Sequence, residues 1–341
     1  MTLLPKQFED DNKETSSKNV AIDVLDKIVS SIAPNLRRRL NQIVKNSRED
    51  DVVSLYRIYR LLEFYGSMTL EKKLLSETGS ITLAITESAD NAKRQFEEML
   101  DVLADKLLGS PPSVSSNLSS PIELLDVVDK MSKILKTHST SPSQGLNQDT
   151  REKAFLPILT KFIQPLLRMC LLSAKASNCS SGETSIYMIN CASTIQNALK
   201  SYDFVSHWVN KLVEEIGSWS DVLVREHADT MLRDCGLETK LRIMSSESGK
   251  RICDIEGLRS DELRASLKVF YSKVFSLTMP QFDRVQDSRL RSQARRSMCV
   301  ILAGSHKVAF DSIMDSKSGY ADPMSVVVHN PSRVRTLLDV D

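Results

Sequence analysis

The chain has 341 residues, with 45 Lys and Arg against 44 Asp and Glu, and a net charge of +1. A single core stops growing near ~250–300 residues, so this length predicts two or more packed units. The 41% apolar content excludes a disordered chain, and the charge balance offers no basic excess to meet a nucleic-acid backbone.

Residues 1–19 are polar throughout and are expected to form a disordered lead. They hold no apolar core of the kind that a signal peptide needs. No window approaches the ~20 apolar residues of a membrane span, so any membrane role is expected to be peripheral and cytosolic. The next apolar residues, Val20, Val24, Leu25, Ile28 and Ile32, recur at helical spacing until Pro34 interrupts them. Leu36, Leu40, Ile43 and Val44 resume the pattern, with Arg37, Arg38 and Arg39 on its wet side. A third helix is predicted from Asp51, with Asp50 or Asp51 as a plausible N-cap, through Leu55, Tyr56, Tyr59, Leu62 and Tyr65. A turn is expected around Gly66 and a further start at Leu70, Leu74 and Leu75, loosened at Thr78-Gly79-Ser80.

Ile81 to Leu108 reads as one helix with Phe96, Leu100, Leu103 and Leu107 on its inner face. Gly109 to Pro121 is a loop by composition, and Ser120-Pro121 opens a helix through Leu124, Leu125, Val128, Met131 and Leu135. Thr137 to Gln148 is a second loop. Glu152 to Ala174 is helical, with Phe155, Leu159, Phe162, Leu166 and Cys170 facing one way and Pro157 and Pro165 expected to bend or segment it. Lys175 to Glu183 is a third loop and sets the expected unit boundary. Residues 20–175 then form a middle helical bundle and residues 183–341 a C-terminal one.

Ile186 to Leu237 carries the strongest periodicity. Its apolar positions Ile195, Leu199, Tyr202, Val205, Val209, Leu212, Ile216, Trp219 and Leu223 step by threes and fours, which draws one apolar stripe along a helix. Lys200, Asp203, Lys211, Glu214, Glu215 and Asp221 occupy the opposite face. A stripe of this kind must be buried against other helices. A break is expected near Asp203 or Gly217, and Gly236 ends the segment. Trp208 and Trp219, eleven apart, share a face and are read as core; truncating a buried Trp219 would cost roughly 3–5 kcal/mol.

Leu241 to Gly257 is read as a turn-rich connection and Asp261 to Ser276 as a helix through Leu263, Leu267, Phe270 and Val274. A helix with Phe282, Leu290, Val300 and Ile301 follows Met279-Pro280 and continues to Ile313. Two short helices close the chain, each with a cap-then-proline start at Asp322-Pro323 and Asn330-Pro331. No strand-period alternation persists, so the fold is expected to be all-α.

No catalytic set emerges. Gly249-Lys250 imitates the end of a phosphate loop, but Met244 stands where that loop needs glycine and Arg251 where it needs a hydroxyl. Glu226-His227-x-Asp229 reads as a solvated polar face, because helix neighbours one apart do not face each other. The six cysteines and five histidines are scattered without a Cys-x-x-Cys pair, so neither a metal nor a cofactor is expected, and Cys170 and Cys191 read as reduced core residues. One basic group stands out: Arg284, Arg289, Arg291, Arg295 and Arg296. As a functional face, Arg289, Arg291, Arg295 and Arg296 would meet acidic headgroups or an acidic partner helix. The plainer reading, which is preferred, is solvated arginines partly neutralised by Asp283 and Asp287.

Four stretches carry a resemblance. These are SLYRIYRLLEFYGSMT (54–69), FLPILTKFIQPLLRMCLLSA (155–174), SIYMINCASTIQNALKSYDF (185–204) and residues 306–338, with their Tyr-x-Asp-Pro step and Pro-x-x-Val-x-x-Leu-Leu end. In that order, from about Ala33 to Leu338, the chain resembles the family of subunit six of the conserved oligomeric Golgi complex. The loops at 109–121 and 137–148 depart from the family pattern. The resemblance implies an elongated stack of helical bundles of the helical-rod tethering type, beginning near the family's middle and without its N-terminal coiled-coil half. It implies a non-enzymatic role in vesicle tethering, intra-Golgi retrograde transport and Golgi organisation, on the cytosolic face of the Golgi membrane with a cytosolic pool. Implied partners are sibling subunits five, seven and eight, SNARE proteins and golgin-type coiled coils. The competing readings are a peripheral lipid binder using the Arg289–Arg296 face and a helical enzyme with an unrecognised site.

Overall fold

The computed structural model describes residues 20, 22–71, 76–140, 148–246 and 251–340. The expected polar lead and Gly249-Lys250 lie outside the described residues. Among the described residues the regular structure is helical and contains no strand. Residues 22–30 are helical, and α1 (Ala33–Asp50), α2 (Val52–Glu71), α3 (Ser80–Gly109), α4 (Ile122–Thr140), α5 (Gln148–Ala176) and α6 (Ser181–Leu199) follow. The chain continues through α7 (Ser206–Asp234), α8 (Glu238–Ser246), α9 (Ser260–Phe275), α10 (Ser288–Met314), α11 (Pro323–Val326) and α12 (Pro331–Leu337).

Two compact units result, and both are discontinuous in sequence, where loop composition had suggested a single cut at 175–183. One holds Met1–Ser110, Glu123–Leu166 and Ala198–Ser206; the other holds Pro111–Ile122, Leu167–Asn197 and His207–Asp341. In the first unit, α1 and α2 both pack on α3. Its interior collects Leu55, Tyr56, Phe96, Leu100, Met131, Leu135, Phe155 and Phe162, all at most 1% exposed. Burial of such side chains removes apolar area from water at about 25 cal/mol per Å², the main driving force for these helices to associate. The residues before α1 differ: Val24, Leu25, Ile28 and Ile32 are exposed although their spacing is helical.

Several expectations about breaks are corrected. The chain does not turn at Gly66; α2 runs on to Glu71. Gly66 is buried opposite Ile85 and Thr86 of α3, so packing outweighs the helix penalty of about 1 kcal/mol for glycine. Pro157 and Pro165 lie inside α5, which continues through both. Each removes one backbone hydrogen bond, but the flanking Phe155, Leu159, Phe162 and Leu166 are fully packed and hold the helix together. Residues 241–246 are helical in α8 rather than turn-rich.

The long apolar stripe is interrupted at the first of its two candidate sites. Tyr202 is extended, Asp203–Val205 is a 3-10 turn, and Phe204 leaves helical geometry at φ −91° and ψ 20°. Gly217 stays helical within α7. Ile195, Leu199, Val205, Leu212, Ile216 and Leu223 are buried as the spacing requires, while Trp219 is only half-buried. Trp208, 2% exposed, is the core tryptophan.

The end of α7 shows how the sequence writes a stop. Gly236 takes φ +66°, its N–H bonds the Arg233 carbonyl, and the N–H of Leu237 bonds the Leu232 carbonyl, both at 2.8 Å. That pair of bonds is the Schellman closure. Asp322 and Asn330 cap α11 and α12 as expected, accepting from the backbone N–H of Ser325 at 3.3 Å and of Arg333 at 2.8 Å.

In the second unit α10 packs against α8, α11 and α12, and α9 against α11. Its loop 111–121 is fastened by several side chains, one of them fully buried. Asn190, 2% exposed, donates to the carbonyls of Leu118 (2.8 Å) and Arg284 (2.9 Å) and accepts from the N–H of Gln286 (2.9 Å).

Candidate interaction surfaces

By length and composition Arg151–Ala176 is long and apolar enough to cross a membrane, which corrects the expectation that no window reaches that range. Its apolar residues Phe155, Leu159, Phe162, Ile163 and Met169 are packed inside the protein.

Among the described residues no group of three or more His, Cys, Asp or Glu side chains is placed to hold a metal ion. All six cysteines are free, and Cys170 and Cys191 are buried as their helical setting suggests. The neighbouring Cys191 thiol and burial together hold the Cys170 thiol well above the usual range. A buried, protonated thiol is a poor nucleophile.

Glu226 and His227 line a cleft of about 550 Å³ with Met231, Lys273 and Met298, but Asp229 is not among the lining residues and is exposed. The imidazole Nδ1 of His227 lies 3.0 Å from the Leu223 carbonyl, and its ring tilts against Phe282 at 5.2 Å. The three residues of that motif do not converge on one point, as the helix geometry requires.

The basic group divides in two. Arg295 pairs with Asp283 at 2.6 Å, Arg291 approaches the same carboxylate at 4.0 Å, and Arg284 reaches Glu183 at 3.2 Å. Arg289 and Arg296 are exposed and make no ion pair with described residues. Seven apart on α10, they share one face. Arg296 and the exposed Val300 also line a groove of about 430 Å³ with Val224, Arg225 and Asp221.

A larger groove of about 700 Å³ lies between α2 and α4 within the first unit. Its lining combines Ile58, Leu61 and Phe64 with Arg57, Arg60, Lys133 and Lys136, and among the described residues it contains no carboxylate. Sequence reading missed this surface. Arg57 and Lys136 are 79 positions apart, so no local pattern joins them until the helices pack. Elsewhere in the same unit the buried Tyr56 hydroxyl meets His138, which stacks on Phe155 at 4.5 Å and tilts against Phe204 at 4.9 Å. Burial, with the nearby Arg60 and Arg151, lowers the His138 imidazole from its ordinary 6.5 to about 4. It is a core group rather than a ligand.

The surfaces thus consist of helix flanks and open grooves. Comparison with known proteins identifies the family and the fold. The family model described as Conserved Oligomeric Golgi complex subunit 6, C-terminal, matches residues 2–338. The chain is 26% identical to Conserved oligomeric Golgi complex subunit 6 of Arabidopsis thaliana, covering 96% of this chain and 54% of that protein. The namesake of Dictyostelium discoideum is 26% identical over 93% of this chain and 48% of its own length. That of Homo sapiens is 23% identical over the same shares, 93% and 48%. The chain therefore spans about half the length of these relatives. Among solved structures, S. cerevisiae Exo70 superposes with a TM-score of 0.60 at 11% identity, covering 95% of this chain and 64% of that one. A second structure of exocyst subunit Exo70p gives 0.59 at 12% identity, covering 95% and 65%. The likeness to Exo70 is one of fold. From the family match along nearly its whole length, the chain belongs to the conserved oligomeric Golgi complex subunit 6 family.

Proposed function

We propose that this chain is a non-enzymatic part of a Golgi vesicle-tethering complex, acting in intra-Golgi retrograde transport and Golgi organisation through helix-on-helix contacts. The observation that supports this reading best is the family match over residues 2–338, on an all-α fold shared with an exocyst subunit. Helix flanks supply broad partner surfaces, and each residue of helix adds about 1.5 Å of reach. The partners proposed are sibling subunits five, seven and eight, SNARE proteins and golgin-type coiled coils. The proposed location is the cytosolic face of the Golgi membrane, held peripherally. Affinity purification of the tagged chain, followed by mass spectrometry, is expected to return sibling subunits or SNARE proteins. Recovery of neither would refute this function.

One observation favours a second reading, a peripheral lipid-binding module. Arg289 and Arg296 are exposed, have no carboxylate partner among the described residues and share a face with the exposed Val300 nearby. Against it, Arg291 and Arg295 turn toward Asp283. Flotation with vesicles containing phosphatidylserine decides between them. The lipid reading requires retention that drops at least tenfold when Arg289 and Arg296 become alanine, and equal retention of the variant removes it.

A further inference from the structure

We propose that the groove between α2 and α4 is a docking site for an acidic amphipathic helix of a protein partner. The inference rests on the reading of this chain as a scaffold for protein contacts, and it names the surface and the chemistry that one such contact uses.

Three observations converge. The first is the exposed apolar lining. Leu61 is 54% exposed and Phe64 38%, on successive turns of α2, with Ile58 beside them. Exposed apolar side chains scattered singly need no explanation, but these are contiguous and line one concavity. The second is the rim. Arg57 stands on the α2 wall, Lys133 and Lys136 on the α4 wall, and no carboxylate among the described residues lines the groove. Lys133 is paired with Asp129 and Arg60 with Glu63, but Arg57 and Lys136 are exposed and make no ion pair with described residues. In a chain whose net charge is only +1, this is a local concentration of positive potential. The third is length. Arg57 to Phe64 on one wall and Lys133 to Thr140 on the other each span two helical turns, about 10 Å at 1.5 Å per residue.

These features select among occupants. A strand would need unpaired backbone N–H and C=O groups on the receptor, and helical walls keep theirs internally bonded. A bilayer is flat, and its headgroups cannot follow a concavity to reach Leu61 and Phe64. A nucleic-acid backbone would meet the cations but leave the apolar lining wet. A helix with apolar residues at i, i+3 or i+4, and i+7 fills such a lining with its anchors. Carboxylates on its flanks would then face Arg57 and Lys136. Such rim pairs chiefly raise the association rate and its salt dependence, while the apolar anchors set the residence time.

The test uses the full chain and a fluorescein-labelled helical peptide with leucines at i, i+3, i+4 and i+7 and glutamates on both flanks. A second peptide has every glutamate changed to lysine, and phosphatidylserine-containing vesicles form a third arm. Arg57→Glu combined with Lys136→Glu, and separately Leu61→Asp, change exposed side chains, and a thermal melt confirms that each variant folds. The expected result is binding of the acidic peptide that weakens with added salt and falls at least tenfold in both variants, with no binding of the lysine peptide. Equal binding of the two peptides, or unchanged affinity in the variants, overturns the proposal. So does retention on vesicles that is lost in the Arg57 and Lys136 variant, which would assign the cations to a lipid surface. Co-purification of the wild-type chain with sibling subunits is measured in parallel. If that succeeds while the peptide result is negative, the groove assignment fails and the tethering role stands.

Discussion

The Tyr56 hydroxyl lies 2.8 Å from Nδ1 of His138, 82 positions later in the chain, and both residues are buried. The other ring nitrogen, Nε2, has no hydrogen-bond partner among the described residues. The second unit repeats the arrangement with Tyr271 and Nε2 of His306 at 2.9 Å, leaving Nδ1 of His306 without a partner. Each imidazole is thus held neutral, and a second proton would create a buried cation with an unmet N–H.

A pH dependence follows. Burial, with neighbouring positive groups, lowers both imidazoles from 6.5 to about 4. An unfolded chain takes up these protons near pH 6.5, whereas the folded chain resists until about pH 4, so stability falls as pH drops through that window. Each group contributes at most about 1.4 kcal/mol per pH unit there, and nothing above pH ~7. Urea melts between pH 7.5 and 5 are expected to show this loss, and His306→Gln to flatten its slope. A variant slope equal to the wild type would rule out the His306 contribution.

The two tryptophans separate by burial. Trp208→Ala is expected to destabilise by about 3–5 kcal/mol because its side chain is fully packed. Trp219→Ala, at a half-buried position, is expected to cost less than half of that. Chemical denaturation of the two variants side by side checks the order, and equal losses would contradict the packing described.

From α6, Asn190 bonds both the Leu118 turn and the segment before α10, beside the Ser120–Thr194 and Arg284–Glu183 contacts. Replacing it with alanine leaves two carbonyls and one N–H without their partner. The expected loss is about 2–4 kcal/mol. Amide exchange should also quicken across residues 114–120 more than in α7. Uniform exchange changes would argue against this local role.

Gly236→Ala tests the Schellman closure of α7. A Cβ there is strained at φ +66° and would sit 3.3 Å from the Ser266 hydroxyl. A loss of about 1–2 kcal/mol is expected in a thermal melt. Gly217→Ala, helical and open to space, is expected to be stabilising by up to about 1 kcal/mol.

The helices were readable wherever period and punctuation agreed. The caps at Asp322 and Asn330 and the stop at Gly236 are local signals met in the structure, and six of the nine stripe positions from Ile195 to Leu223 are buried, with Tyr202, Val209 and Trp219 only half-buried. Packing overrode the turn expected at Gly66, and the helix is not segmented at Pro157 or Pro165. The all-helical character of the described residues and the family resemblance were legible too. The α2–α4 groove was not, because its charge pattern is assembled from helices far apart in sequence. The partition of the arginines was half legible: Asp283 was recognised as a neutraliser, but which arginines it takes depends on the 3-10 turn Pro280–Arg284.

The placement of the sulfurs has a practical consequence. Cys170, Cys191, Cys235 and Cys299 are enclosed, whereas Cys179 and Cys253 are partly accessible. A maleimide dye added briefly to the native chain should therefore stop at two adducts, and each further adduct would timestamp an opening of the interior. The molecule comes with its own clock for counting breathing events, readable by intact mass without adding a single probe residue.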